Sequence, residues 1–312
     1  MVIESLTDIL ATTVLYMTPL LLAAMGGLFS ERSGVVNIGL EGLMTIGAFT
    51  AVVTTLETHN PWLGLVTAML AGMLFSIPHA IASITFKADQ VVSGVALNFL
   101  ALGVAVYLVK SLYKGSGQTP DVQDVLQAMP IPGLENIPVI GPALFRAFPT
   151  TYLALIIVFI GYVVLYRTPF GMRLRAVGEH PQAAETMGVN VYRMRYTGVL
   201  ISGALAGLGG ASLSIAIGSQ FSESTIAGQG FIALATLIFG KWHPFGVLGA
   251  STFFGFAVAL ALKGQLIGLT TYVPSEALNM LPYILTILAL AGFVGRAEAP
   301  AAIGKTYETG GR

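Results

Sequence analysis

LTDILATTVLYMTPLLLAAMGGLF, residues 6–29, is an apolar run in which Asp8 is the only charged residue. A helix needs ~20 mostly apolar residues to cross the hydrocarbon core of a bilayer, and this run supplies them without a break. Residues 1–10 carry Glu4 and Asp8 but no Lys or Arg, whereas a cleaved signal sequence begins with basic residues. We therefore expect the run to be a retained membrane span.

The composition of the whole chain agrees with a membrane environment. Hydrophobic residues make up 55% of the 312 positions and charged residues only 10%, against about 25% charged residues in soluble domains. The 15 basic and 15 acidic residues balance, so nothing in the charge indicates a nucleic-acid partner. Cysteine is absent, which excludes disulfides, thiol nucleophiles and cysteine-ligated metals.

Apolar runs of this kind recur along the chain. In a membrane only helices and closed barrels satisfy the backbone, and continuous rather than alternating runs favour helices. The sequence therefore predicts an all-α, polytopic integral membrane protein with about 9 transmembrane helices, in a range of about 8–10. The seventh run is short enough to be a re-entrant half-helix. The runs are residues 6–29, 36–56, 61–86, 91–112, 152–166, 197–218, 228–240, 245–262 and 277–294.

The basic residues predict how the chain is oriented, because they prefer cytoplasmic loops. If the arginine-rich connection 167–196 is cytoplasmic, nine alternating spans place the N-terminus outside and the C-terminus in the cytoplasm. Most basic residues then lie inside, and the opposite orientation would reverse the bias. The inside group is Arg32, Lys87, Arg167, Arg173, Arg175, Arg193, Arg195, Lys241, Arg296, Lys305 and Arg312, and the outside group is Lys110, Lys114, Arg146 and Lys263.

Two connections are too long to be simple turns. Residues 114–151 are rich in proline and carry acidic residues, which predicts a stiffened external segment with a short helix near residues 122–128. Residues 167–196 form the cytoplasmic connection. A single membrane domain thus covers residues 1–296, and the polar, glycine-rich tail 297–312 is expected to be disordered.

Within the cytoplasmic connection, Pro181 and Gly188 bracket a short helix. Proline suits the first helical position, because its missing N–H would be unpaired there, and glycine suits the left-handed position just past the end. The predicted helix, residues 181–187, is marginal alone in water, and its small Ala183 and Ala184 would let a partner surface approach closely. It is either a docking element or an amphipathic connector on the lipid headgroups.

Small residues four positions apart predict close helix packing, and packing within the chain is favoured over a seam between subunits. The spacings are Gly203-x-x-x-Gly207, Ala68-x-x-x-Gly72 and Gly246-x-x-x-Ala250.

Four stretches together resemble one protein superfamily. QAAETMG, residues 182–188, is similar to the Glu-Ala-Ala-x-x-x-Gly coupling loop of ABC importer permeases, with Gln182 in place of the first Glu. The other three are ERSGVVNIGLEG (residues 31–42), ADQVVSGVALN (residues 88–98) and GFIALATLIFGKWHP (residues 230–244). They resemble permeases of the branched-chain amino acid and simple sugar superfamily. The closest branch is the nucleoside importers that work with basic-membrane-protein-type receptors.

The resemblance implies a transport subunit in the plasma (inner) membrane of a prokaryote that carries nucleosides or related small sugars. It implies an ABC ATPase subunit, a second permease subunit of the same or a related chain, and an external substrate-binding lipoprotein as partners. Coupling to the ATPase would use Pro181, Gln182, Ala183, Ala184 and Gly188. The chain contains no Gly-x-x-x-x-Gly-Lys-[Ser/Thr] phosphate loop. We therefore expect no cofactor on this chain and ATP hydrolysis on a separate one.

Polar side chains inside apolar runs are costly in hydrocarbon and mark candidate sites on the substrate path. Asn37 and Glu41 are four residues apart, which predicts one shared helix face. Glu41 is either a pathway residue or the partner of another helix or of Arg32. Asn98 lies mid-run, where its amide fits a sugar hydroxyl or nucleobase edge, or bridges two helices. Asn279 is a further candidate contact at the outer start of the last run.

Some aromatic residues could stack on a base, although most are expected to pack within the protein or at the membrane interface. They are Phe49, Phe99, Tyr107, Phe221 and Phe231.

Two other classes of function require different residues. An ion-coupled secondary transporter needs intramembrane carboxylates or broken helices, for which Glu41 is the candidate. An intramembrane enzyme needs a converging nucleophile, base or metal set, and the sequence shows no catalytic residues of that kind. The four histidines, His59, His79, His180 and His243, have no metal-ligand spacing, so no metal is expected.

Overall fold

The computed structural model describes residues 2–264, 274, 277–278, 280–288 and 298–308. Within this part of the chain, seven helices are long and apolar enough to cross a membrane. They account for every predicted run except two. The seventh run forms a short helix, and the ninth is described only in part. The seven are α1 (Val2–Arg32), α2 (Leu40–Thr58), α3 (Pro61–Phe75), α5 (Gln90–Leu112), α7 (Pro149–Arg167), α10 (Val191–Ser212) and α12 (Pro244–Gly264).

Shorter elements extend or connect these helices. α3 continues through α4 (Ile77–Ala80) and a π-helical turn, Ile81–Thr85, and α10 continues through a second π-helical turn, Leu213–Ile217. The remaining helices are α6 (Ile140–Leu144), α8 (Pro169–Glu179), α9 (Pro181–Thr186), α11 (Gln229–Phe239) and α13 (Leu281–Leu288). Strands β1 (Met129–Pro130) and β2 (Arg146–Ala147) pair antiparallel.

The helix starts follow from local side-chain chemistry. The Asn60 side chain accepts hydrogen bonds from the N–H groups of Trp62 and Leu63, at 3.0 and 3.4 Å, just before Pro61 begins α3. The Asp89 carboxylate accepts from the N–H groups of Val91 and Val92, in the first turn of α5, at 2.8 and 3.0 Å. Such caps satisfy backbone donors that have no partner within the helix.

Three helices form the centre of the bundle. In their most apolar stretches, 72% of α1, 67% of α2 and 72% of α10 are buried, against 22% of α5 and 33% of α3. The outer helices are no less apolar, and they expose large side chains such as Leu74, Phe99 and Phe159. An apolar exterior of this kind suits contact with lipid or with another membrane subunit.

Glycines allow the central helices to touch backbone to backbone. A Cβ on Gly207 of α10 would lie 2.3 Å from the carbonyl oxygen of Ala68, and a Cβ on Gly203 would lie 2.4 Å from that of Gly72. The predicted spacings on α3 and α10 therefore meet each other inside the chain, which confirms the interpretation as internal packing. The third spacing differs, because Gly246, in the first turn of α12, packs on Gly240 at the end of α11.

The bundle has two distinct ends. We call the end that carries residues 113–148 the loop end and the end that carries residues 298–308 the tail end. Asp8, near the start of α1, lines a cavity with Arg146 and Lys263 at the loop end. At the tail end, Ala302 donates its N–H to the carbonyl of Gly178 at 2.9 Å. The start of α1 and residues 298–308 therefore lie at opposite ends of the bundle.

The loop end corrects one prediction from sequence. Residues 122–128 are not helical. Instead, Val122 and Leu126 are buried, and their N–H groups donate to the carbonyls of Ser219 and Ile215 at 2.6 and 2.9 Å. Pairing with the end of α10 satisfies these donors, so a local helix is not needed. The short helix of this segment is α6, further along the chain.

The tail end corrects a second prediction. Residues 298–308 of the tail, expected to be disordered, fold against the bundle, and Ala302 and Tyr307 are 4% and 5% exposed. The polar composition of the tail gave the wrong prediction of disorder for these residues. A few apolar residues and several backbone hydrogen bonds are enough to fix a short polar segment on a preformed surface.

The helix contact at Gly210 provides a test of this packing. A Cβ there would lie 1.9 Å from the carbonyl oxygen of Met44, whereas one on Gly103 of α5 has nothing within 4 Å. Overpacking of this kind typically costs ~1–3 kcal/mol. Gly210→Ala should lower the thermal unfolding midpoint of the detergent-solubilised protein, and Gly103→Ala should leave it unchanged or raise it. Equal midpoints for the two variants would contradict the backbone contact between α2 and α10.

Candidate functional site

One segment runs between the two ends of the bundle without forming a continuous helix. After the π-helical turn of α10, residues 218–228, here called the unwound segment, are not helical. They lead into α11, which has 11 residues and is therefore about 16 Å long. That length is roughly half of the ~30 Å hydrocarbon core.

The unwound segment and α11 together connect the two ends of the bundle. Phe221 exchanges hydrogen bonds with Thr119 of the loop end, at 2.9 and 3.0 Å. Beyond α11, the carbonyl of Trp242 accepts from Nε and an Nη of Arg32 at the tail end, at 2.9 and 2.7 Å. The short seventh run thus forms the helical half of a segment that runs between the loop end and the tail end.

The Glu41 carboxylate holds the break in place. Its two oxygens accept hydrogen bonds from the N–H groups of Gly228 and Gly230, each at 2.7 Å. These donors lie at the start of α11, where backbone N–H groups have no partner within the helix. The approach is close, because a Cβ on Gly230 would lie 2.4 Å from the Cα of Glu41.

This arrangement has the features of a substrate passage. Irregular backbone at membrane depth is tolerated only where protein buries it or where it lines a cavity, and transporters commonly place substrate at discontinuous helices. Phe221 of the unwound segment packs edge-to-face on Phe49, with ring centroids 5.6 Å apart. Directly after the unwound segment, Oε1 of Gln229 is buried and has no hydrogen-bond partner among the described residues.

The structure separates the predicted path residues. Asn37 does not share a helix face with Glu41, because α2 begins only at Leu40. Its amide instead donates to the Ser202 hydroxyl at 2.8 Å and accepts from the N–H of Gly39 at 3.1 Å. Glu41 bonds to α11 and not to Arg32, which forms an ion pair with Glu179 at 3.7 Å.

Asn98 bridges two parts of the chain. Its amide donates to the carbonyl of Ile38 at 3.0 Å and accepts from the N–H of Gly42 at 2.8 Å. Both contacts fix the turn that leads into α2, so the geometry favours the helix-bridging interpretation of Asn98. Asn279 lies outside the described residues.

The aromatic candidates divide into a buried pair and an exposed group. Phe49 and Phe221 are buried at the unwound segment, whereas Phe99, Tyr107 and Phe231 are half or more exposed on the outside of the bundle. The residues that sequence reasoning missed are Gly228, Gln229 and Gly230. Their signal was a pair of glycines at the start of an apolar run too short to cross the membrane.

The second feature of interest is the predicted surface helix at the tail end. α9 begins at Pro181, and Gly188 follows it in the left-handed conformation, with φ +80°, as the proline and glycine predicted. The two alanines do not share one role. Ala183 is exposed, but Ala184 is 5% exposed and packs inside the chain against Val177, Val191 and Tyr307.

The exposed side of α9 forms part of an apolar groove with α8. Met187 is 84% exposed, and Arg173 and His180 border the groove. It is lined by Met172, Arg173, Ala176, His180, Ala183, Ala184, Met187 and Val189. The short helix α9, the exposed methionine after it and the open apolar groove form a surface suited to a protein partner.

Electrostatics at the tail end are dominated by local pairs. The Lys87 ammonium lies 2.7 Å from the Glu308 carboxylate, which lowers the pKa of Glu308 and raises that of Lys87. Burial, together with the nearby Glu185 carboxylate, raises the pKa of Tyr307 to about 12, so this phenol is neutral at pH 7. Among the described residues, no group of three His, Asp or Glu side chains could hold a metal ion.

Long apolar helices, a broken passage through their centre and a surface helix at one end define a polytopic membrane transport protein. The sequence profile of the family described as the permease component of the branched-chain amino acid transport system matches residues 9–290. The chain therefore belongs to this family of transport permeases.

Three relatives resemble the chain over nearly its whole length. The guanosine ABC transporter permease protein NupQ of Bacillus subtilis is 54% identical, over 100% of this chain and 99% of the relative. The nucleoside ABC transporter permease protein NupC of Lactococcus lactis is 46% identical, over 98% of each. A putative glucose ABC transporter permease protein, TsgC13 of Haloferax volcanii, is 36% identical over 96% of this chain and 97% of the relative. No solved structure matches the chain.

The Glu41 contacts give a direct test of the broken passage. Glu41→Gln keeps one acceptor but places an amide N–H₂ against the second backbone N–H, which removes one charge-assisted hydrogen bond worth about 2 kcal/mol. We expect lower thermal stability, lower transport, and faster maleimide labelling of a Cys introduced at exposed Ser224. The control is Glu57→Gln, at the exposed end of the same helix. Unchanged labelling and transport in Glu41→Gln would show that this carboxylate does not hold the unwound segment.

Proposed function

We propose that this chain is the membrane-spanning permease subunit of an ABC importer that moves nucleosides across the plasma membrane of a bacterium. The full-length 54% identity to a guanosine permease carries this proposal, and the similarity to a second nucleoside permease supports it. The family match supports the assignment as a transport subunit. A sugar is the second candidate substrate, because a more distant relative is a putative glucose permease.

The partners follow from what the chain lacks and from what it exposes. No phosphate-loop sequence is present, so ATP is expected to bind and hydrolyse on a separate ABC ATPase subunit, with no cofactor held by this chain. A second permease subunit, the same or a related chain, would pack against the apolar outer helices. An external substrate-binding lipoprotein would deliver nucleoside at the loop end.

The tail end is assigned to the cytoplasm and the loop end to the outside. Several basic residues lie at the tail end, on α1, α8, α10, the connection before α5 and the tail, and basic residues favour the cytoplasmic side. The residues concerned are Arg32, Lys87, Arg175, Arg195 and Lys305. In this orientation the N-terminus is outside and the C-terminus is cytoplasmic.

An ion-coupled secondary transporter is the alternative. Such a protein needs a carboxylate inside the membrane that can take up and release the coupling ion. Both oxygens of Glu41 are already engaged by backbone N–H groups, which speaks against that use.

Transport by the reconstituted complex tests the function. Vesicles containing this chain with its ATPase, second permease and receptor should take up radiolabelled guanosine only with ATP, and unlabelled nucleosides should compete while glucose should not. Uptake that continues without ATP and stops with an ionophore would identify a secondary transporter. Competition by glucose at the same concentration as guanosine would identify a sugar permease.

The surface helix provides a separate test of coupling. Ala183→Trp adds bulk on the exposed side of α9, and a buried interface tolerates added bulk poorly, at ~1–3 kcal/mol. Gly188→Val disfavours the left-handed backbone at the helix end. Both variants should insert in the membrane at normal levels but lose ATPase co-purification and guanosine uptake. Gln123→Trp, exposed at the loop end, is the control. If both α9 variants bind the ATPase and transport normally, α9 is not the coupling element.

A further inference from the structure

Residues 298–308 of the tail connect four elements at the tail end. The N–H of Ala301 donates to the Glu179 carboxylate at 3.1 Å, and that of Ala302 to the carbonyl of Gly178 at 2.9 Å, so the tail lies along the end of α8. The N–H of Gly304 donates to the carbonyl of Gly34 at 3.3 Å, in the connection after α1.

Three further contacts tie the tail to α10 and to the connection before α5. Arg195 of α10 is 1% exposed and donates from its guanidinium to the carbonyl of Lys305 at 3.0 Å. Next to it, the Tyr192 ring packs against Tyr307, with centroids 5.7 Å apart. Finally, Glu308 forms its ion pair with Lys87, which precedes α5.

α9 itself is attached weakly to the rest of the chain. It has six residues, and among them only Ala184 is buried. A helix of that length is not stable alone in water and depends on tertiary contacts. The buried residues clustered with Ala184 are Val177, Val191 and Tyr307, and the partly buried Val189, Tyr192 and Met194 pack against them. Tyr307 is the largest of the buried members, so the tail supplies part of the surface on which α9 rests.

We propose that residues 298–308 are a permanent strap that holds α9 rigidly to the inner ends of α1, α5 and α10, with Tyr307 as its positioning residue. Because of the strap, a movement of α9 is transmitted to the central helices. Without it, α9 would turn about its flanking residues His180 and Gly188, and ATP hydrolysis would proceed without transport. The inference rests on the proposed function, in which α9 receives the motion of the ATPase.

The measurement is the ratio of ATP hydrolysed to guanosine transported by the complete complex in vesicles. Tyr307→Ala should keep the ATPase bound and active but raise this ratio about tenfold, since a tenfold change corresponds to about 1.4 kcal/mol and losing a buried aromatic ring costs more than that. Tyr307→Phe keeps the ring and should behave as wild type. Thr306→Ala, exposed within the strap, is the matched control.

A covalent tether provides the second arm. The chain has no native cysteine, so Lys87→Cys with Glu308→Cys can be joined by a short bis-maleimide. Joining them should leave the wild-type ratio unchanged and should restore most of the coupling lost in Tyr307→Ala. If that variant fails to accumulate, Tyr307→Leu takes its place in the same comparison.

The outcomes separate the strap from the proposed function. A wild-type ratio in Tyr307→Ala would overturn the strap, and so would loss of transport on cross-linking, because a permanent strap need not release. A reduced amount of transporter with an unchanged ratio would also overturn it, since that result describes a purely structural tail. If the wild-type complex itself shows no ATP-driven guanosine uptake, the proposed function fails before the strap is tested.

Discussion

Hydrogen bonding of the backbone inside a bilayer is the constraint on which this structure depends. Hydrocarbon offers no water to an unpaired N–H or carbonyl, so each interruption of a helix needs a partner from the protein. The unwound segment is such an interruption. At its end, the Glu41 carboxylate accepts hydrogen bonds from two backbone N–H groups, those of Gly228 and Gly230. Asn98 does the same on a smaller scale, because its one amide satisfies a carbonyl before α2 and an N–H within it.

The same constraint explains which features were predictable. Long apolar runs, proline at helix starts and glycine after α9 act locally, so the helices and the capped surface helix follow from the sequence alone. The partners of Glu41 and Asn98 lie far away along the chain, and no spacing rule reports them. Asn37 was misplaced for a related reason. It was assumed to lie on α2, but the turn at residues 37–39 closes through its own side chain.

The two further errors, at residues 122–128 and in the tail, also arise from non-local pairing. In each case a segment with weak intrinsic preference found its hydrogen-bond partners on a surface formed by other helices. The first pairs with the end of α10 and the second with the end of α8. Local propensity is a weak guide where tertiary contacts provide the acceptors, because those contacts outweigh differences of less than ~1 kcal/mol per residue.

The two candidate sites are joined by a continuous series of contacts. α11 starts at the Glu41 carboxylate and leads to Trp242, whose carbonyl binds Arg32 and whose indole N–H donates to Glu31. Arg32 in turn pairs with Glu179, the last residue before the cap of α9. Because packed elements shift between discrete arrangements instead of deforming smoothly, movement of α9 would change the Arg32 contacts that fix the far end of α11. The unwound segment is then connected to α9 on one side through Arg32 and Glu179, and on the other through α10, which packs on both α9 and α2, the helix that carries Glu41.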